Sequence, residues 1–131
     1  MKKIIFIIAI LLIQSGFLFS QSNNVKFANS IISAFNSSNT ETIVNNAQDR
    51  FVLKIFSEGA RVNKAQARVI LKDFFKENKV RNYKPEINEL SGGITIIDGK
   101  VHSGNKNMRI QITQEKDNKR IIITEIIISN E

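Results

Sequence analysis

Four residues have side chains that could carry chemistry: His102, Glu125, Tyr83 and Asp98. His102 is the only histidine. Nucleophilic and metal chemistry ordinarily need histidine with partners at defined spacing. None is evident here, so His102 reads as a surface or strand-end residue. No pair of acidic or histidine residues shares a ligand-like spacing, so neither a metal nor any other cofactor is expected. The chain contains no cysteine, which excludes disulfides, thiolate chemistry and lipid attachment through a cysteine. Glu125 is the one weak catalytic candidate. It stands in register with Ile121, Ile123 and Ile127. A carboxylate held among isoleucines in a pocket would have a raised pKa, as a general base requires. On an outward face, the same residue would only keep an apolar surface soluble. Tyr83 and Asp98 are candidate ligand-binding companions, although nothing in their spacing ties them to Glu125 or to each other.

The elements that must position these residues begin after an N-terminal segment of a different kind. Met1-Lys2-Lys3 is positive, residues 4–13 are an unbroken apolar run, and Gln14, Ser15 and Gly16 break it. This is the pattern of a secretory signal peptide. The run is too short for a membrane-spanning helix, which needs about 20 predominantly apolar residues. Cleavage is expected after Ser20, with Leu18 an unusually large residue three positions before the cut. The expected organisation is therefore a signal peptide over residues 1–20 and a single domain over 21–131, exported to the periplasm or secreted, with no transmembrane segment after cleavage. The formal charge is +7, and the chain stays basic without Lys2 and Lys3. Its lysines are scattered, and export separates it from nucleic acid, so a solvated basic surface is favoured over nucleic-acid binding.

Along the domain, Phe27, Ala28, Ile31, Ile32 and Phe35 fall at helical spacing, and the polar run 36–39 ends that helix. Thr40 is expected to cap a short second helix through Ala47. Residues 51–56 alternate as a strand, 57–59 read as a turn and 60–62 as a partner strand. Asn63 is an N-cap for a helix whose stripe is Ala67, Ile70, Leu71 and Phe74, ending near Asn78. Strands are expected over residues 84–91, 94–103, 108–115 and 121–128, with turns at 91–93, 104–107 and 116–119. Asp98-Gly99 reads either as a hairpin turn or as a bulge within one long strand, and the bulge is preferred. Helices followed by a run of strands make an α+β domain, with helices on one face of an antiparallel sheet.

The element order resembles the nuclear-transport-factor-2-like (cystatin-like) superfamily. The segments Phe51-Val52-Leu53-Lys54-Ile55 and Asn63-Lys64-Ala65-Gln66-Ala67, with residues 70–75 and the closing 108–112 and 121–128 hairpin, resemble a family of small exported bacterial proteins of unknown function within it. The resemblance implies a cone: a curved antiparallel sheet wrapped around helices, in the order α-α-β-β-α-β-β-β-β. It implies no single activity, because the superfamily holds isomerases, dehydratases and cyclases as well as binding and dimerisation modules. Its enzymes use an acidic base or an Asp/His pair lining the cone, and no motif here matches theirs.

The last strand also presents Ile122, Thr124, Ile126 and Ile128 on its second face. Two apolar faces would leave one exposed to aggregation unless something covered it. A homodimer through the face bearing Ile122, Ile126 and Ile128, or through the opposite one, is the expected cover. The favoured function is a non-catalytic module that binds a small apolar ligand or an envelope protein. The alternative is an isomerase- or dehydratase-like enzyme using a pocket carboxylate.

Overall fold

The computed structural model describes residues 22–131. The expected signal peptide over residues 1–20 and its expected cleavage site lie outside the described residues. Helix α1 (Asn23–Asn36) is capped by Ser22, whose hydroxyl accepts from the Val25 N–H at 3.2 Å. It buries Ala28, Ile31, Ala34 and Phe35. The helix closes with Ser38 in the left-handed region (φ 55°), its N–H donating to the Phe35 carbonyl at 3.2 Å while the Asn39 N–H donates to that of Ala34 at 2.8 Å. This is a Schellman closure in which serine occupies the usual glycine position.

Helix α2 (Thr40–Asn45) is capped by Asn39, whose side chain accepts from the Thr42 N–H at 3.1 Å. Thr40 is thus the first helical residue and not the cap. Ala47 does not belong to the helix but opens β1 (Ala47–Ile55). The reason is tertiary: the Asn46 carbonyl accepts from the Ile123 N–H at 2.8 Å, which draws the chain out of the helix and beside the last strand.

β1 and β2 (Glu58–Asn63) form a hairpin with a two-residue turn. Phe56 and Ser57 both have positive φ, 52° and 74°, the pattern of a type I′ turn. The turn expected at residues 57–59 is therefore displaced, and Gly59 is a strand residue opposite Lys54. It is needed for close approach, since a Cβ there would lie 2.5 Å from the Lys54 Cα. Helix α3 (Lys64–Glu77) starts with a reciprocal capping box. The Gln66 N–H donates to the Asn63 side chain at 2.8 Å, and the Asn63 N–H donates to the Gln66 side chain at 3.0 Å. It buries Ala67, Leu71, Phe74 and Phe75 and leaves Ile70 at 36% exposure.

The remaining strands are β3 (Glu86–Glu89), β4 (Ile94–Ser103), β5 (Lys106–Asp117) and β6 (Arg120–Asn130). The six-stranded sheet has the order β2-β1-β6-β5-β4-β3. Every pairing is antiparallel except β1 with β6, which is parallel. The α+β class and the element order match the sequence reading. Asp98-Gly99 is neither turn nor bulge, because β4 pairs without interruption to β5 on one side and β3 on the other. Gly99 is required by Pro85, whose Cα would sit 2.7 Å from an added Cβ.

A bulge does occur elsewhere. Thr113 pairs with Glu125 and Gln114 with Ile123, so Thr124 is an extra residue in β6. The insertion exchanges the two faces of that strand. Ile123 before it, and Ile126 and Ile128 after it, are all buried against the helices, while Ile122, Glu125 and Ile127 are half-buried on the outer side. A single face bearing Ile122, Ile126 and Ile128 therefore does not exist. The outer face mixes Val52, Ile96, Ile122 and Ile127 with Lys54, Asp98, Arg109, Gln111 and Glu125. The second, wholly apolar face on which the homodimer was argued is absent from the described residues.

Candidate functional site

The interior of the sheet's concave side is filled. Phe35 packs against Phe75 with ring centres 5.7 Å apart and against Tyr83 at 6.1 Å. Ile97, Met108, Ile110 and Ile112 are fully buried beneath the helices. Open space lies instead at one edge, in a cleft of about 680 Å³ between the β1–β2 hairpin and α3.

Each wall of the cleft follows from a local periodicity. Alternation along the strands turns Leu53 and Ile55 of β1 and Val62 of β2 toward it. On α3, Ile70, Asp73, Phe74 and Glu77 recur at three- and four-residue spacing, so one flank of the helix faces the cleft while Ala67, Leu71 and Phe75 face the core. Phe56 closes one end from the hairpin turn. Its ring lies 6.2 Å from that of Phe74, and the Lys106 ammonium sits 5.3 Å from the Phe56 ring centre. Asn78 lies beyond the helix end, where its N–H and its side-chain amide both donate to the Phe74 carbonyl, at 2.8 and 3.1 Å.

The polar lining is one-sided. Glu58, Asp73 and Glu77 border the cleft, and no lysine, arginine or histidine does. None of the three carboxylates makes an ion pair among the described residues. The lining holds no hydroxyl or imidazole that could act as a nucleophile or relay a proton. No group of three potential metal ligands occurs among the described residues. The arrangement is suited to holding an apolar body, and the three unpaired carboxylates along its rim disfavour an anionic one away from the Phe56 end, where Lys106 lies.

The residues singled out in the sequence lie elsewhere and do not converge on one site; only Tyr83 and Asp98 come near enough for the charge of one to act on the other. Glu125 is half-buried on the outer face, between Val52 of β1 and Thr113 of β5. Tyr83 is a core residue, and its hydroxyl donates to the Ile110 carbonyl at 2.7 Å. Burial pushes its phenol well above the usual range, and the nearby Asp98 charge adds to this. The Asn36 side chain grips the Tyr83 backbone from both sides, accepting from its N–H at 2.8 Å and donating to its carbonyl at 3.0 Å. Asp98 forms a two-pronged pair with Arg109, at 2.8 Å to Nε and 2.7 Å to Nη2. The Arg109 hydrogen bond holds the Asp98 carboxyl below its ordinary pKa, against the opposing effect of partial burial. His102 is exposed, its Nδ1 hydrogen-bonded to the side chain of its cross-strand neighbour Asn107.

The cleft residues were not legible as a set. One signal was present: Asp73 and Glu77 are like charges four apart on a helix, an arrangement that costs helix stability unless something else favours it. A second was Ile70, which is apolar but sits at the margin of the buried stripe.

A family model described as "Domain of unknown function (DUF4783)" matches residues 28–129. The chain belongs to this family. The solved structures of DUF4783 proteins from Bacteroides fragilis and Bacteroides uniformis share its fold. The first is 23% identical, with a TM-score of 0.68, over 77% of this chain and 95% of that one. The second is 21% identical, with a TM-score of 0.67, over 77% of this chain and 94% of that one. The DUF4783 domain is also similar to an NTF2-like protein from Cytophaga hutchinsonii, at 11% identity and a TM-score of 0.59, over 82% of this chain and 94% of that one. The cone architecture expected from the sequence is therefore the one these proteins share. No curated protein matches the chain.

Proposed function

We propose that this DUF4783 domain is an exported, non-catalytic binding module whose cleft takes a small, predominantly apolar ligand that is neutral or cationic. One observation carries the reading: the cleft between α3 and the β1–β2 hairpin has an apolar floor of Leu53, Ile55, Val62, Ile70 and Phe74, and its only ionisable lining groups are carboxylates. Export is supported by the positive start, short apolar run and small exit residue of the first 20 residues. The enzymatic alternative would have to run through Glu58, Asp73 or Glu77, because Glu125 lies outside the cleft. A homodimer through the mixed outer face, around Val52, Ile96, Ile122 and Ile127, is compatible with the reading, and sedimentation of the purified chain reports it.

The test combines native mass spectrometry of the chain purified from its own envelope with uptake of two environment-sensitive dyes, one neutral and one anionic. The expected result is added, removable mass, and neutral-dye uptake that Ile70→Lys abolishes without loss of folding. Equal uptake of the anionic dye, or uptake indifferent to Ile70→Lys, would overturn the proposal.

A further inference from the structure

The outer side of the β1–β2 hairpin carries a second concavity of opposite character. β1 is parallel to β6 at Ala47, opposite Ile123, and again from Val52, opposite Glu125; residues 48–51 have no partner on β6. Pairing with β2 starts only at Arg50, opposite Asn63, so Gln48 and Asp49 lie outside both ladders. The opened ladder leaves a hollow of about 360 Å³ to which Arg50, Arg61 and Arg120 contribute. Because Arg50 pairs with Asn63 and Val52 with Arg61, Arg50 and Arg61 are diagonal neighbours across the hairpin, a separation of about 7–8 Å between backbones. Arg120 reaches the hollow from the start of β6.

None of these three guanidiniums has a carboxylate within ion-pair distance among the described residues. Arg68 and Arg109, by contrast, are paired with Glu41 and with Asp98 and Glu131. Asp49 is the one acidic residue in the lining. Its side chain is 98% exposed, and its nearest cation is Lys64 at 3.8 Å. Three like charges around one hollow repel each other, and an anion between them relieves that repulsion. Arginine is the side chain whose planar fork of donors matches a tetrahedral oxyanion.

We propose that this hollow binds a phosphate or sulfate group, with Arg50, Arg61 and Arg120 as its ligands. The site is separate from the cleft and does not depend on the function proposed for it. The group could be a free inorganic anion or part of a phosphodiester lipid headgroup, and the experiment distinguishes these. Binding of inorganic phosphate, sulfate and pyrophosphate to the purified chain is measured by calorimetry, and co-sedimentation with phosphatidylglycerol vesicles is measured in parallel. Arg61→Ala and Arg120→Ala are compared with Arg81→Ala, which removes an equal charge from an exposed position outside the hollow. Circular dichroism verifies that each variant folds. The expected result is saturable binding that weakens at least tenfold in Arg61→Ala and Arg120→Ala, is unchanged in Arg81→Ala, and is only partly restored by Arg61→Lys. Arginine-dependent binding of the inorganic anions assigns a free anion, and arginine-dependent binding of vesicles alone assigns a headgroup. Binding weakened equally by Arg81→Ala, binding indifferent to the hollow's arginines, or no binding to any of these probes overturns the proposal.

Discussion

On one side of the β1–β2 hairpin, Leu53, Ile55 and Val62 look across a cleft bordered by Glu58, Asp73 and Glu77. On the other side, Arg50 and Arg61 meet Arg120 over a hollow in which none of the three has a carboxylate partner among the described residues. The two surfaces are separated by the thickness of one strand pair, and strand alternation assigns each of the hairpin's own residues to one or the other. A chain with a net charge of +7 thereby holds a locally acidic apolar cleft and a locally basic polar hollow. Overall charge therefore says little about what either surface binds. The local sign, set by register, decides it.

Substitutions that act on one surface and spare the other test this separation. The largest effect is expected from Phe74→Ala. Phe74 is only 4% exposed and packs against both Phe56 and Phe75. Its truncation should cost about 3 kcal/mol in chemical denaturation and abolish dye uptake, while phosphate binding by the remaining folded fraction stays intact. Gly59→Ala attacks the hairpin that both surfaces share. The added methyl meets the backbone of Lys54 and Leu53 at 2.5–2.6 Å, and the strain should cost about 2 kcal/mol and impair both surfaces together. Asp73→Lys should leave stability within about 0.5 kcal/mol of the parent, because it replaces the like-charge pair with Glu77 by an opposite one but sets a like charge three residues before Lys76. It should also shift dye preference toward the anionic probe. Loss of uptake of both dyes in that variant would break the link between rim charge and selectivity.

The smallest effect concerns a carboxylate that, unlike those of the cleft, has a partner. Asp98 has its pKa lowered by Arg109 in the folded state. Its stabilising contribution is therefore complete above the unfolded carboxyl pKa and is lost as pH falls through the folded one. The melting temperature of the unmodified chain should fall slightly more than that of Asp98→Asn on acidification below about pH 4. Parallel pH profiles would mean the pair contributes nothing.

The order of elements was readable because it rests on periodicities that neighbouring residues set. The stripe of α1, the N-cap at Asn63, and the alternation of Met108, Ile110 and Ile112 are local patterns, and each reappears in the structure. The misplacements share one cause: a distant partner overrode a local preference. Ile123 drew Asn46 and Ala47 out of a helix, Lys54 required Gly59 in a strand, and Pro85 required Gly99 in an unbroken one. The Thr124 bulge decided where the one catalytic candidate lies, because it placed Glu125 on the outer face. An alternating run of isoleucines gives no sign of one inserted residue, since either face remains apolar. The cleft was hidden for a related reason. Its residues come from a hairpin, a turn and a helix flank, and only the packing of α3 against β1 and β2 brings them together.

The position of β6 has a consequence for the order of folding. It is the sixth strand in sequence but lies inside the sheet, between β1 and β5. Until it docks, the chain holds two separate fragments, the β1–β2 hairpin and the β3–β5 meander, each with an open edge. The parallel contact that joins them links Val52 to Glu125, so the closing step carries the loop-closure cost of most of the domain. Folding should therefore be limited by arrival of this strand. Segments lacking it should remain open to pairing with other extended chains.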